Sequence, residues 1–344
     1  VLPAPPIPLP CPLSAGWQVI SRTALPRRHP DGRRMGGFSA LAMGADSGSG
    51  DRPLWLLSDT DQPELIPLLG WMDTPRYGPR LRLRGADGAL LAPRFDGEGL
   101  VRIDGSLWIV SEGRRRLGRP PALLRFDLAS GRFREKRPLP RAWRPAPDAG
   151  LRSNQGPESL ARWGEEQLLV GAESPLKQDR DDRVRLARLR MEGSGIGPAP
   201  PAQPLRPLAL QPRSANWGLT ELLPLPRQDR LLALVRGYDP LQGWWARLQL
   251  YRLPGPVQAP DRAAPLQPLM GWDLLADLLP ADNWEGMTPG PPLPDGRATL
   301  LLLSDDNFST RQRSWLVRLA PRRRPGCGAV APGHLDSEAS RPPT

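Results

Sequence analysis

Five times the chain repeats one phrase. A turn leads to an acidic residue and an apolar step; a polar turn follows, then an apolar strand that ends in a polar or charged cluster. The copies are GGFSALA (36–42) with LWLLSDT (54–60), DGEGLV (96–101) with SLWIVSEGR (106–114), NQGPESLA (154–161) with QLLVGAES (167–174), NWGLTELL (216–223) with RLLALVRGY (230–238), and NWEGMTP (283–289) with TLLLLSDDN (299–307). Glu98, Glu158, Glu221 and Glu285 take the acidic place and Ser39 takes it in the first copy, at spacings of 59, 60, 63 and 64 residues. A period this regular marks a repeat architecture and argues for one closed domain.

Short runs rich in Leu, Val and Trp recur between Gly, Pro, Asp and Asn, the pattern of an all-β chain. They predict strands at 17–25, 54–58, 107–111, 122–127, 167–172, 184–190, 231–235, 246–253, 300–304 and 315–319. ALLRF followed by the ASG turn and FREKR reads as the outer hairpin of a blade. One helix is expected, at 272–279 (WDLLADLL), stopped by Pro280. Each unit can hold four strands, and four-stranded sheets repeated radially make a β-propeller. The fifth unit is short, and the strand at 17–25 supplies what it lacks. The expectation is therefore a β-propeller of five four-stranded blades closed by its N- and C-terminal strands. Six blades is the alternative if a long unit hides a divergent one, and an open solenoid is the structural rival. The division expected is a Pro-rich arm (1–15), the propeller (16–321) and a disordered basic tail (322–344).

Composition excludes several functions. No run approaches the ~18 apolar residues of a membrane span. The net charge of +11 invites a nucleic-acid reading, but 45 of the 47 basic residues are Arg, scattered except for Arg114–Arg116 and Arg322–Arg324. No basic helix or aromatic-basic ribonucleoprotein motif accompanies them, so no nucleic-acid partner is expected. A positive surface suits an anionic small molecule instead. Two histidines, His29 and His334, leave little for a His-based triad or a zinc site. Cys11 and Cys327 lie near opposite ends. A closed ring would bring them together, leaving a disulfide and two free thiols as open alternatives. The chain is expected to be a monomer, periplasmic or secreted, with a signal peptide already removed.

An antiparallel hairpin returns both its ends to one edge. Glu98 should therefore meet Glu112, Glu158 meet Glu173, Glu221 meet Arg236, Glu285 meet Asp305, and Ser39 meet Asp59. One channel mouth would then carry a ring of acids. Crowded carboxylates raise one another's pKa or demand a counter-cation. Ca²⁺, with its oxygen ligands, fits that demand. Pairing with Arg114, Lys177, Arg236 and Arg311 is the other resolution. In a purely structural reading, each acid merely caps a strand or bonds to the next blade.

These same phrases, above all DNWEGMTPGPPLPDGRATLLLLSDDNFS (282–309), resemble the phytase-like proteins described by their esterase-like activity. The resemblance covers about residues 17–320. It implies an exported propeller hydrolase whose acidic mouth binds Ca²⁺ while basic residues hold phosphate. By pattern, Glu98, Glu158, Glu221, Glu285, Asp59 and Asp305 become the metal ligands, with Glu158, Glu221 and Glu285 as catalytic groups. Arg114, Lys177, Arg236 and Arg311 become the ligands of an anionic phosphate or carboxylate ester. The rival function is a non-catalytic propeller that binds a sugar, a phosphorylated ligand or a protein partner.

Overall fold

A computed structural model describes residues 9–45, 52–58, 63–91, 95–113, 119–181, 183–191, 201–276, 278–325 and 327. It forms a ring of five blades. β1 (Trp17–Ala24) belongs to the last blade. The first blade holds β2 (Phe38–Met43), β3 (Leu54–Ser58), β4 (Glu64–Leu69) and β5 (Arg76–Tyr77), with β6 (Leu81–Arg82) also on β4. The second holds β7 (Gly97–Ile103), β8 (Ser106–Ser111), β9 (Ala122–Asp127) and β10 (Phe133–Arg137). The third holds β11 (Pro157–Trp163), β12 (Gln167–Ala172), β13 (Leu186–Arg190) and β14 (Gln203–Pro204). The fourth holds β15 (Asn216–Leu225), β16 (Arg230–Asp239), β17 (Gly243–Arg252) and β18 (Met270–Asp273). The fifth holds β19 (Asn283–Gly290), β20 (Thr299–Asp305) and β21 (Trp315–Pro321), completed by β1 at its outer edge. The expected count of five and the closure by both ends of the chain are therefore met.

Apolar burial dictates this arrangement. The second strand of each blade is covered on both faces, so it reads as a nearly unbroken apolar run; every residue of β20 is buried. The core is not central. Its clusters lie along the seams between adjacent blades, such as Leu234, Leu248, Trp284 and Leu302 between the fourth and fifth. The innermost strands contact one another in order around the ring, with β19 returning to β2.

The closure is reinforced at several points. Cys11 and Cys327 form a disulfide, settling the alternative left open by their positions. Asp306 reaches from the fifth blade to the first, where its Oδ1 accepts the Gly37 N–H at 3.0 Å. Gly37 has φ +60°, and a Cβ there would sit 2.3 Å from the Phe308 ring, so only glycine fits this join. Arg322–Arg324, in the segment expected to be a disordered tail, is hydrogen-bonded to Cys11 and Gly16.

The helix expected at 272–279 is not found among the described residues of that segment. Met270–Asp273 pairs with β17 as the outer strand of the fourth blade. Trp272 packs edge-on against Trp17, with centroids 5.8 Å apart, and its indole N–H donates to the Leu13 carbonyl at 2.9 Å. Eight residues are too few for a self-sustaining helix. The strand buries Trp272 in the closing seam, which a helix there would not pair with β17.

Candidate active site at the channel mouth

The innermost strand of every blade carries a β-bulge at the same place. The extra residue is Ser39, Glu98, Glu158, Thr220 and Glu285 in blades one to five. Bulges of this kind re-aim a side chain and recur beside active sites. In the fourth copy the bulged residue is Thr220, not Glu221, so the repeated acidic place predicted for Glu221 lies one residue off the structural repeat. The two hydroxyl residues share one job. Ser39 Oγ donates to the Gly97 carbonyl at 2.7 Å, and Thr220 Oγ1 donates to the Trp284 carbonyl at 3.2 Å. Each partner immediately precedes the bulge of the next blade, so these hydroxyls stitch neighbouring blades together. A carboxylate cannot donate that bond, which frees Glu158 and Glu285 to do something else.

On the second strand, the residue just past the partner of the residue preceding each bulge is Asp59, Glu112, Glu173, Arg236 and Asp305 in turn. Four blades thus offer an acid and the fourth offers a guanidinium. Arg236 lies 3.4 Å from Glu158, 3.2 Å from Glu173 and 3.2 Å from Glu285. One cation from blade four therefore bridges blades three and five. Asn283 steadies the far side, its Nδ2 donating to Glu285 Oε1 at 2.6 Å. Glu112 joins from blade two: carboxylate oxygens of Glu112, Glu158 and Glu173 all lie within 4.8 Å of one another. Glu112 is itself held by the Gly156 N–H at 2.5 Å.

The cluster is largely dehydrated; Glu158 and Glu285 each have 12% of the side chain exposed, and Glu173 has 6%. Burial, and then the neighbouring Glu173, raise the Glu158 pKa well above the usual carboxylate range, against the pull of Arg236. Burial raises Glu173 to about 7, again opposed by Arg236 and reinforced by Glu112. Burial disfavours the Arg236 charge, but the three glutamates outweigh it and hold its pKa above the ordinary value. Burial and mutual repulsion thus both disfavour two full charges on the pair Glu158–Glu173, which titrates as a unit.

This has a measurable consequence. An unfolded Glu173 titrates near 4.5 and the folded one at about 7. Between those values the native state keeps a proton that the unfolded chain has released. The associated stability is complete below pH 4.5 and is lost as the pH rises through about 7. Urea titrations of the wild type between pH 4.5 and 7.5 should show declining stability, and Glu173→Gln should flatten that decline. A wild-type slope of the opposite sign would contradict the assignment.

The other predicted residues fall as follows. Glu98 fills the bulge of β7. Asp305 ends β20 opposite Asn283, and its Oδ1 accepts the Asn307 N–H at 2.8 Å. Glu221 is buried in the seam between blades three and four. Burial raises its pKa well above the usual range, while the backbone N–H groups of Leu222 and Leu160 pull it back down. It has no described contact with the mouth cluster. Lys177 donates to the carbonyls of Ala146 and Pro147, tying down the loop beside blade three. Arg311 is exposed on the loop after Asp306. Asp59 and Arg114 lie outside the described residues. Asn283 was not singled out from the sequence; its place two residues before an acidic bulge is the signal that could have found it.

The donor set fits a hard divalent cation. All three converging groups are carboxylates, and Ca²⁺ takes oxygen ligands at about 2.3–2.6 Å, so oxygens this close can share one ion. Glu173 Oε2 and Asn283 Oδ1 are buried without a hydrogen-bond partner. Two orphaned acceptors in one cluster are what a cation or a donor ligand would satisfy.

Among solved structures, the chain is similar to the one titled "Structure of U3-55K", at 11% identity and a TM-score of 0.41, covering 89% of this chain and 100% of that one. No curated protein sequence matches. A family model, Phytase-like, described as "Esterase-like activity of phytase", matches residues 33–308. That span runs from the approach to the first blade to the loop after Asp306 and takes in every residue of the mouth cluster, so the chain belongs to the phytase-like family.

Proposed function

We propose that this protein is an exported ester hydrolase, acting on phosphate or carboxylate esters at the acidic channel mouth with Ca²⁺ bound there. The observation that carries the reading is the convergence of Glu112, Glu158 and Glu173 beside Arg236. Export is supported by the Cys11–Cys327 disulfide, which an oxidising compartment maintains.

In this reading Glu112, Glu158 and Glu173 hold the ion, with Glu98 and Asp305 around them on the same rim. A calcium ion held there would polarise an ester oxygen and lower the pKa of a water. The chain's own groups do the rest. Glu173, through the carboxylate oxygen the ion leaves free, takes the proton of the attacking water, as a general base must. Glu158 shares that proton and returns it to the leaving oxygen. Glu285, pinned by Asn283, and Arg236 fix both carboxylates in place. Arg236 is only 14% exposed and committed to three glutamates, so it positions these acids and does not clamp the substrate anion. Of the four basic residues expected to hold the ester, Arg311, exposed on the adjoining loop, is the described one left to meet it.

The three ion pairs of Arg236 also favour a second reading: a propeller whose mouth is neutralised internally and only binds a sugar, a phosphorylated ligand or a protein partner. Hydrolysis of p-nitrophenyl phosphate and p-nitrophenyl acetate separates the two. Calcium-replete protein should turn over at least one of them, lose at least about tenfold in rate with a chelator, and recover on adding Ca²⁺. Full activity under chelation would sink the metal-assisted mechanism. Saturable binding with no turnover would favour the binding propeller.

A further inference from the structure

The Arg322–Arg324 run plays no part in the mouth chemistry. It lies at the other end of the fifth blade. β20 begins at the far end with Thr299 and reaches the mouth at Asp305, and β21 and β1 meet at that far end, where Trp17 pairs with Pro321. The β19–β20 turn is there as well. Together they frame a cavity of about 660 Å³ lined by Gln18, Asp295, Arg297, Arg322, Arg323 and Arg324, with Ala15 at its edge.

These arginines stand on a fastened backbone. The Arg322 N–H donates to the Gly16 carbonyl at 2.9 Å, and the Arg324 N–H donates to the Cys11 carbonyl at 3.0 Å. Cys11 returns a bond to the Arg322 carbonyl at 3.1 Å, and its disulfide to Cys327 closes the same segment. Arg297 is fixed too, by Asp295 at 2.7 Å and by the Pro321 carbonyl at 3.2 Å. The lining holds four guanidiniums and one carboxylate, and that carboxylate is already paired with Arg297. Among the described residues, neither Arg322 nor Arg324 has an acidic partner within salt-bridge distance. Guanidiniums bind phosphate oxygens in forked, charge-assisted pairs. The volume falls in the roughly 300–1,000 Å³ range of small-ligand sites, and apart from Ala15 every lining side chain ends in a charged or polar group.

We propose that this cleft is a second ligand site, separate from the mouth, that takes a small polyanion carrying two or more phosphate groups. Arg322 and Arg324 grip the anion, and Arg297 and Gln18 bound it. The backbone ties to Cys11 and Gly16 hold the arginines in register before the ligand arrives.

Pyrophosphate is the probe, titrated calorimetrically into the full chain at low ionic strength with chelator present, so that the mouth cannot hold it through a metal. Wild type should bind it saturably. Arg322→Gln with Arg324→Gln should weaken binding at least tenfold. Arg141→Gln with Arg144→Gln removes the same charge from exposed positions elsewhere and should change affinity less than twofold. Glu158→Gln with Glu173→Gln, at the mouth, should leave it unchanged. Equal losses in the two arginine pairs would reduce the effect to bulk charge and overturn the proposal. So would a wild type that binds acidic-lipid vesicles or single-stranded DNA but not pyrophosphate.

Discussion

Replacing Arg236 with methionine is expected to destabilise the protein by about 3–5 kcal/mol, the cost of breaking a buried charge network by removing one partner. Glu158, Glu173 and Glu285 would be left crowded in a dehydrated pocket without their guanidinium. The loss should depend on pH in a definite direction. At acidic pH the three carboxyls can all be neutral and need no cation, so the variant should approach the wild type. As the pH rises through 7 the carboxylates must ionise together or stay protonated at growing cost, and the gap should widen. Divalent cations offer a second diagnosis. If the acids can hold Ca²⁺, saturating Ca²⁺ should restore much of the lost stability to Arg236→Met. Thermal denaturation at pH 5 and pH 8, with and without Ca²⁺, measures both effects. A variant equally destabilised at both pH values would mean that packing, not charge, explains the loss.

The second large effect is on turnover. Glu158→Gln and Glu173→Gln keep the shape of the side chain and remove its ability to carry the proton. Each should lower kcat for ester hydrolysis by about 10²–10⁴, the usual contribution of a general acid or base. Because the two groups share a proton, the double variant should cost much less than the product of the singles. Glu221→Gln provides the contrast. That carboxyl is held by backbone N–H groups in a seam, so its replacement should leave kcat within a few fold of wild type. Steady-state kinetics on the three single variants decide the matter, and a Glu221→Gln effect as large as that of Glu158→Gln would relocate the chemistry.

The contrast between Glu158 and Glu221 also shows what could be read from the chain alone. The blades were legible because a strand covered on both faces must be apolar throughout, and LWLLS, LWIVS, QLLVGA and TLLLLSD are such runs. The short fifth unit and the strand at 17–24 made the closure legible too. The repeated feature at the mouth, however, is a backbone bulge and not an acid. In GLTELL the eye follows the glutamate, while the bulge falls on Thr220. Residue type misled there because a bulge is a property of register between two strands, and register does not appear in one of them.

The convergence itself could be read only in part. Hairpin geometry placed Glu158 beside Glu173 within one blade. It did not bring in Glu112 from the second blade, nor let Arg236 of the fourth serve Glu158, Glu173 and Glu285 at once. Those contacts cross between blades and depend on the ring's curvature. Lys177 illustrates the opposite error. It stands close in sequence to Glu173, but its ammonium is spent on two carbonyls of a neighbouring loop. Sequence proximity to an acid does not place a cation beside it.

The most direct test is a crystal structure of the protein grown with calcium and measured for its anomalous signal. The expected result is an ion coordinated by the carboxylates of Glu112, Glu158 and Glu173, with Arg236 still paired to Glu285. A mouth that holds no ion at saturating calcium, with Arg236 still bridging all three glutamates, would contradict it.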